Sequence, residues 1–345
     1  MRNKQNNNKK LSIGQLGCGY WGPNLVRNLT AIDQISKLTV CDTNAEMLKK
    51  AGTKFPGIET THSPDIILND TSIDAVVIAL PAAMHYKYAK AALLKKKHIL
   101  VEKPLATSVE EAKDLIQTAK DNKRILMVGH TFIFNMAVQQ IKKYIDNGDL
   151  GDIYYIFSQR LNLGRVRQDV NAMWNLAPHD ISIILYWLGE QPTKIKAKGQ
   201  SFLQEGIDDL VFLHLDFPSG KSAHIHVTWL DPLKTRKIIV VGSRKMVVYD
   251  DVSTDRKIMV YDKGIDKTLQ NNLKHEIYDY ASFQLKNRVG DIIIPKIDFK
   301  EPLALECQHF IDCILIKEKP ITDGISGLHV VDILEKAQKN LDKSL

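Results

Sequence analysis

The sequence predicts an α/β chain in two parts, a doubly wound parallel sheet followed by an α+β region built on an open, mostly antiparallel sheet. Three observations predict it. Short apolar runs alternate with helical patterns up to about residue 130, at the spacing of βαβ units. A G-x-G-x-x-G cluster, Gly17, Gly19 and Gly22, stands between the first apolar run and the first helical pattern. From about residue 150 onward apolar residues begin to alternate with polar ones, the period of strands with one packed face.

The strand-like runs of the first part are 11–16, 37–41, 74–80, 97–101 and 124–128. They are nearly all apolar, as expected of parallel strands covered on both faces. A helical pattern follows Thr107 and Ser108, either of which can cap it, with Glu110 and Glu111 in the first turn. In the second part, strand-like segments run 152–163, 194–204, 208–217, 221–230, 236–250 and 257–262. A helix from about Pro178 to Leu188 interrupts them and stops at Gly189, the residue type that ends helices in the left-handed conformation. Two helices, 301–317 and 324–341, close the chain. The expected divisions are a disordered basic tail over 1–10, a first domain over 11–130 and a second over 131–345.

With 345 residues, 44% hydrophobic and 25% charged, the chain has the material of two ordinary globular domains. Its net charge is +7, but Arg2, Lys4, Lys9 and Lys10 of the tail supply much of that. No basic stripe with interleaved aromatics marks a nucleic-acid surface. No apolar core follows the basic start, so a secretory signal is not expected. No apolar run reaches the ~18 residues of a membrane span. Cys18, Cys41, Cys307 and Cys313 form no C-x-x-C, which fits reduced cysteines of a cytoplasmic protein.

Each glycine of the cluster has a mechanical role. Gly17 makes a tight turn, Gly19 lets the backbone approach a pyrophosphate with no Cβ in the way, and Gly22 lets the next helix pack close to the strand. That helix presents unpaired N–H groups to the phosphates. Asp42 follows about 20 residues later, at the end of the second run. Its carboxylate can accept from both adenosine ribose hydroxyls and repels a 2′-phosphate, and no arginine follows it. Strand, glycines, helix and acid together predict a Rossmann domain that takes NAD rather than NADP.

In open α/β sheets ligands bind beyond the carboxyl ends of the strands. Leu80 and Pro81 end one run there, and Glu102, Lys103 and Pro104 end the next. An ammonium at Lys103 would stabilise an alkoxide or share a hydroxyl proton, although a solvated lysine suits the same place. Pro178 suits a first helical turn, which would put His179 at a helix start and lower its pKa, leaving a neutral base. A structural histidine fits there as well. His224 and His226 share a strand face, with His214 on the preceding strand, but no Cys or acid is suitably spaced, so no metal site is expected. They fit a sheet face or subunit interface, and an uncovered apolar sheet face seeks a partner.

Several stretches together resemble the Gfo/Idh/MocA oxidoreductases over nearly the whole chain beyond the tail. They are Gly17-Cys18-Gly19-Tyr20-Trp21-Gly22, Glu102-Lys103-Pro104, a histidine opening a helix in the second half, and the antiparallel second part. Further stretches resemble one branch, the 3-dehydrogenases of UDP-N-acetylglucosamine or its uronate: Trp21-Gly22-Pro23-Asn24 with Arg27-Asn28, residues 129–135, 160–164 and 174–182, and Thr322-Asp323-Gly324. The resemblance implies that Lys103 and His179 are catalytic. It implies that Gly17, Gly19, Tyr20, Trp21, Gly22, Asp42, Leu80, Pro81, His85, Glu102 and Lys103 surround the cofactor, with His85 ordering its loop. Asn135 would lie near nicotinamide and substrate, and Arg160, Asn162, Arg165, Asn175 and His179 on the substrate side. Arg160, Arg165 and Arg167 would meet an anionic diphosphate, and Gln159 and Asn162 would read sugar hydroxyls. One position departs from the family, which usually carries an aspartate where Asn175 stands. An amide can orient His179 but cannot raise its pKa as a carboxylate does.

The implied activity is NAD-dependent oxidation of the 3-hydroxyl of a UDP-N-acetyl-hexosamine, or its uronate, to the 3-keto sugar. That product would feed lipopolysaccharide or other surface polysaccharide biosynthesis. Two alternatives stay open: a keto-sugar reductase or polyol dehydrogenase of the same family, and a non-catalytic NAD-binding regulator, which Asn175 favours. The expected partner is a nucleotide sugar, with no nucleic acid and no membrane, in a homodimer or homotetramer joined through the second sheet.

Overall fold

The computed structural model describes residues 10–164, 166–265 and 287–342. The basic tail up to residue 9 and Arg165 lie outside the described residues. The chain divides into two compact units. One runs to Phe134 and takes in Lys300–Glu335; the other is Asn135–Phe299 with the residues from Lys336 onward.

The first unit is built on six strands among the described residues: Leu11–Leu16 (β1), Ile35–Cys41 (β2), Glu59–Thr61 (β3), Ala75–Ile78 (β4), His98–Glu102 (β5) and Leu126–Gly129 (β6). Between them run Gly22–Thr30 (α1), Ala45–Lys54 (α2), Pro64–Asn69 (α3), Ala82–Leu94 (α4) and Val109–Asp121 (α5). Every pairing is parallel, in the order β3-β2-β1-β4-β5-β6. The order reverses between β1 and β4, and a ligand crevice opens at such a point, beyond the carboxyl ends of the strands. β1 and β4 are buried at every position. Their side chains join a core that includes Leu16, Val76, Ile78, Val101, Leu115 and Val128, each fully buried aliphatic side chain contributing about 1.5–3 kcal/mol. Ser108 caps α5 by accepting from the Glu111 N–H at 3.2 Å, as its sequence position suggests.

Residues 300–335, which the sequence assigns to the second part, cluster with this first unit. The reason is local. Val128 N–H donates to the Thr322 carbonyl and the Thr322 hydroxyl donates to the Val128 carbonyl, both at 2.8 Å. Val331 on the helix Gly324–Leu341 then enters the core. The preceding helix, Pro302–Ile316, packs on α1 and on the 3-10 turn Thr131–Phe134.

The second unit carries Met136–Asp146 (α6), Ile153–Leu161 (β7), Ala172–Leu188 (α7), Lys194–Gln200 (β8), Leu210–Asp216 (β9), Ser222–Thr228 (β10), Thr235–Gly242 (β11), Met246–Asp250 (β12), Ile258–Ile265 (β13) and Asn287–Ile293 (β14). The two closing helices are α8 (Pro302–Ile316) and α9 (Gly324–Leu341). The strands form one sheet in the order β14-β13-β12-β11-β7-β10-β9-β8. Its pairs are antiparallel except β7 with β10. The exception follows from the path: the chain leaves β7 through α7, and the meander β8-β9-β10 then brings β10 back alongside β7. One face of the sheet packs α7 against β7, β9 and β10. The predicted run 236–250 is two strands, because Gly242 N–H turns back onto the Lys245 carbonyl at 3.1 Å.

Candidate active site

The glycine elbow closes on itself. Gly17 takes φ +96°, and an added Cβ would lie 2.3 Å from the Ala79 carbonyl oxygen at the end of β4. At Gly22 a Cβ would meet the Gly17 oxygen at 2.6 Å. Gln15, buried in β1, donates from Nε2 to the Gly17 and Gly22 carbonyls at 2.9 and 3.1 Å and ties the turn together. Beside Gly19, in contrast, nothing lies within 4 Å of an added Cβ. Space closed at the two outer glycines and open at the middle one fits a pyrophosphate approaching the backbone there. Tyr20 is 91% exposed at the tip of this loop. Asp42 accepts from the Cys18 N–H at 2.6 Å and from the Asn44 N–H at 2.9 Å, so its carboxylate is held at the rim of the elbow.

Two further strand ends come to the same end of the sheet. His85 on α4 sets Nδ1 2.7 Å from the Pro104 carbonyl oxygen and Nε2 2.8 Å from that of Leu80. It thereby laces the turn after β4, with Pro81, to the turn after β5. Burial foremost pulls its pKa below the usual histidine value, and a neutral imidazole donates to only one carbonyl at a time. Lys103 follows β5 directly, and the Lys103-Pro104 peptide is cis. Its N–H lies 3.3 Å from Glu102 Oε2, while the Trp21 indole N–H donates to Glu102 Oε1 at 2.7 Å. Burial raises the Glu102 carboxyl to about 7, against the opposing charge of Lys103. Elbow and lysine turn are therefore joined through one carboxylate.

In the second unit the sequence-based placement of His179 needs correction. α7 begins at Ala172, with Asn171 as its cap accepting from the Trp174 N–H at 3.1 Å. Pro178 lies inside the helix rather than in its first turn. His179 is thus a mid-helix residue, and the helix-start field invoked for it is absent. Its carbonyl accepts from the Ser182 hydroxyl at 2.8 Å. Asn175, one turn earlier, accepts on Oδ1 from the Trp229 indole at 3.2 Å. An indole N–H is a donor only, so this contact fixes the amide orientation.

Arg160 also departs from expectation. Instead of meeting a diphosphate it is 5% exposed and bound to Asp180, Nε to Oδ2 at 2.6 Å and Nη2 to Oδ1 at 3.3 Å. Ser158 donates to Asp180 Oδ1 at 2.8 Å. Since Ser158 and Arg160 both face α7, alternation sends Gln159 to the opposite face of the sheet. Arg167 pairs with Asp169. Asn162 lies just past β7, its side chain against Gly164. Asn135 caps α6, accepting from the Ala137 N–H at 2.9 Å, and donates to the Tyr249 hydroxyl at 3.2 Å.

Comparison with known proteins agrees with these features. Residues 11–130 match an oxidoreductase family with an NAD-binding Rossmann fold, and residues 138–248 match the GFO/IDH/MocA C-terminal domain. The chain belongs to the Gfo/Idh/MocA oxidoreductase family. It is 24% identical to the UDP-N-acetylglucosamine 3-dehydrogenase of Acidithiobacillus ferrooxidans, over 93% of this chain and 94% of that one. A solved structure of that enzyme superposes with a TM-score of 0.80 at 20% identity, covering 97% of this chain and 98% of the other. The NAD-dependent scyllo-inositol 2-dehydrogenase of Bacillus subtilis is 26% identical over 92% of this chain and 88% of that one. Levoglucosan dehydrogenase, solved with NADH and levoglucosan, gives a TM-score of 0.81 at 20% identity and 98% coverage of both chains.

The family's first domain binds NAD, and this chain carries that domain over residues 11–130. Sequence reasoning missed two buried polar residues nearby, Glu306 and His130, and the half-buried Thr131 between them. Thr131 donates to Glu306 Oε2 at 2.7 Å, and Glu306 is fully buried on α8. His130, between β6 and Thr131, is buried, and burial foremost, with the charge of Lys103, pushes it down to about 3. Only the polar character of Glu306 within the apolar face of α8 could have flagged it.

Proposed function

We propose that this protein is an NAD-dependent dehydrogenase of a sugar alcohol, and that Lys103 handles the proton of the reacting hydroxyl. The observation that carries this reading is the tie from the glycine elbow through Trp21 and Glu102 to the Lys103 turn. Bound NAD supplies the hydride acceptor. Gly17, Gly19, Trp21, Gly22 and Asp42 would hold it, with Leu80, Pro81 and His85 shaping the strand ends. The Lys103 ammonium stabilises negative charge building on the hydroxyl oxygen, and its amine form takes the proton. His179 is the second acid–base group, oriented by the amide of Asn175. With no carboxylate four residues before His179, Lys103 carries the larger share of the transfer.

For the substrate we favour the 3-hydroxyl of a UDP-N-acetyl-hexosamine or its uronate, giving a 3-keto nucleotide sugar for surface-polysaccharide synthesis in the cytoplasm. The support is a relative of that activity aligned over nearly the full length. One observation favours a second reading, an uncharged polyol or anhydrosugar: Arg160, the guanidinium expected on a diphosphate, is already held by Asp180. The outward face of the second sheet, where Phe212 is 49% exposed beside His226, is where we expect copies of the chain to meet, which sedimentation would reveal.

The deciding experiment mixes protein, NAD and either UDP-N-acetylglucosamine, its uronate, scyllo-inositol or levoglucosan, and follows reduced nicotinamide. Turnover of the nucleotide sugars supports the first reading; turnover confined to the uncharged compounds moves the assignment to the second. Lys103→Ala should lower kcat by roughly 10²–10⁴ while NAD still binds. A variant as active as the wild type removes Lys103 from the chemistry.

A further inference from the structure

At the end of β6, two acids from other elements each meet a residue of the same short stretch. Glu102 ends β5, and its Oε2 lies 3.0 Å from where a Cβ on Gly129 of β6 would sit. Two residues on, Thr131 donates its hydroxyl to Glu306 Oε2 on α8. Glu306 is fully buried, and its Oε1 has no hydrogen-bond partner among the described residues. His130, between Gly129 and Thr131, is buried with neither ring nitrogen partnered among the described residues.

We propose that Glu306 is a neutral carboxylic acid in the folded protein, one of a carboxyl pair with Glu102 that carries a single proton, and that it is a positioning residue for the Trp21–Glu102–Lys103 tie. It deepens the reading above, because that tie is what places Lys103. A lone carboxylate in such a place is far costlier than its acid form, and one hydroxyl donor does not offset the loss of water. Glu102 differs, for it has two donors, the Trp21 indole and the Lys103 N–H. Two carboxyls that feel each other's charge do not both ionise readily, so the proton rests on the one with fewer donors. The direction of the shifts agrees: burial first, then the charge of Glu102, holds the Glu306 carboxyl well above the usual range. The other groups facing it do not supply a counter-charge. His130 is neutral down to about 3, and the Cys307 thiol beside it on α8 is pushed well up by burial and the acids. Arg27, whose charge reaches Cys307, is held by Glu301.

The test needs no sugar. Wild type, Glu306→Gln and Glu306→Leu are compared by NADH affinity at neutral pH and by denaturant unfolding from pH ~5 to ~8. A carboxyl whose folded pKa is raised contributes stability that is complete below its unfolded pKa and is lost as pH rises through the folded one. Glu306→Gln lacks that loss, so its folding constant should gain on the wild type by up to about tenfold per pH unit. Parallel profiles would mean Glu306 is already ionised in the fold and overturn the proposal. For positioning, Glu306→Gln should keep NADH affinity within about twofold, and Glu306→Leu, which cannot accept from Thr131 and so loosens the tie that shapes the cofactor side, should lose about tenfold or more. Equal affinity in the Leu variant would overturn that part. Should neither variant fold, the infrared spectrum of wild-type protein labelled with ¹³C-glutamate must show a protonated carboxyl at neutral pH, and its absence refutes the idea. Failure of every sugar to react would sink the dehydrogenase reading while leaving these measurements intact.

Discussion

Gly19→Ala separates ligand approach from folding. An added Cβ at Gly19 finds nothing within 4 Å, and Gly19 is not among the positive-φ glycines. Replacing glycine by alanine at such a site stabilises a fold by about 0.4–1 kcal/mol, through the lower entropy of the unfolded chain. The apo protein should therefore be no less stable than wild type. The same methyl group fills the space the pyrophosphate needs. At NAD one hundred times its Kd, binding stabilises the wild type by about 2.7 kcal/mol, and a tenfold weaker complex leaves about 1.4 kcal/mol. Gly17→Ala behaves in the opposite way. Its φ is +96° and its Cβ would collide with the Ala79 oxygen, so apo stability should fall by about 1–3 kcal/mol from backbone strain alone. Denaturant melts with and without NAD read both quantities. The reasoning fails if Gly19→Ala retains the full NAD-induced stabilisation, or if its apo form loses as much as Gly17→Ala.

Breaking the buried Arg160–Asp180 pair with Asp180→Ala should cost about 3–5 kcal/mol, since the guanidinium stays buried without its counter-charge. Fluorescence of Trp187 and Trp229, both buried in the same unit, follows that unfolding; a loss under about 1 kcal/mol contradicts the pairing. His130 predicts acid sensitivity. Its pKa is lowered to about 3 in the fold, so its contribution is complete above the unfolded value of ~6.5 and is lost as pH falls toward ~3. At pH ~5 that amounts to about 2 kcal/mol. His130→Leu should flatten this part of the profile, and an unchanged acid limb would show that the imidazole protonates freely.

The legible parts of the chain were those whose cause is local. β1, β4, β5 and β6 are covered on both faces, so composition alone exposes them. The elbow was legible because strand, glycines and helix follow one another in sequence. β3 and β14 were not read as strands: each stands at a sheet edge, with polar or exposed side chains, and pairing with a neighbour makes it a strand. The start of α7 was misplaced because proline favours first turns, while the real signal, Asn171 as a cap, lies seven residues earlier. The partners of Asp180 and Glu306 lie 20 and 175 residues away, beyond any local pattern.

The same bookkeeping of donors distinguishes the two buried acids that sequence reasoning left unpaired. Asp180 receives Arg160 Nε and Nη2 and the Ser158 hydroxyl, with a full positive charge among them. Its ionised form is the one the site fits. Glu306 receives a single neutral hydroxyl, and its acid form is the one that fits. Carboxylate-to-amide changes at the two positions therefore have opposite consequences. Asp180→Asn removes the charge that balances Arg160 and should approach the cost of Asp180→Ala, because an amide cannot offset a buried guanidinium. Glu306→Gln exchanges one neutral group for another of the same shape and should leave the fold intact at neutral pH. Burial alone does not determine the charge state of a carboxyl in this protein; the number and charge of the donors that reach it do.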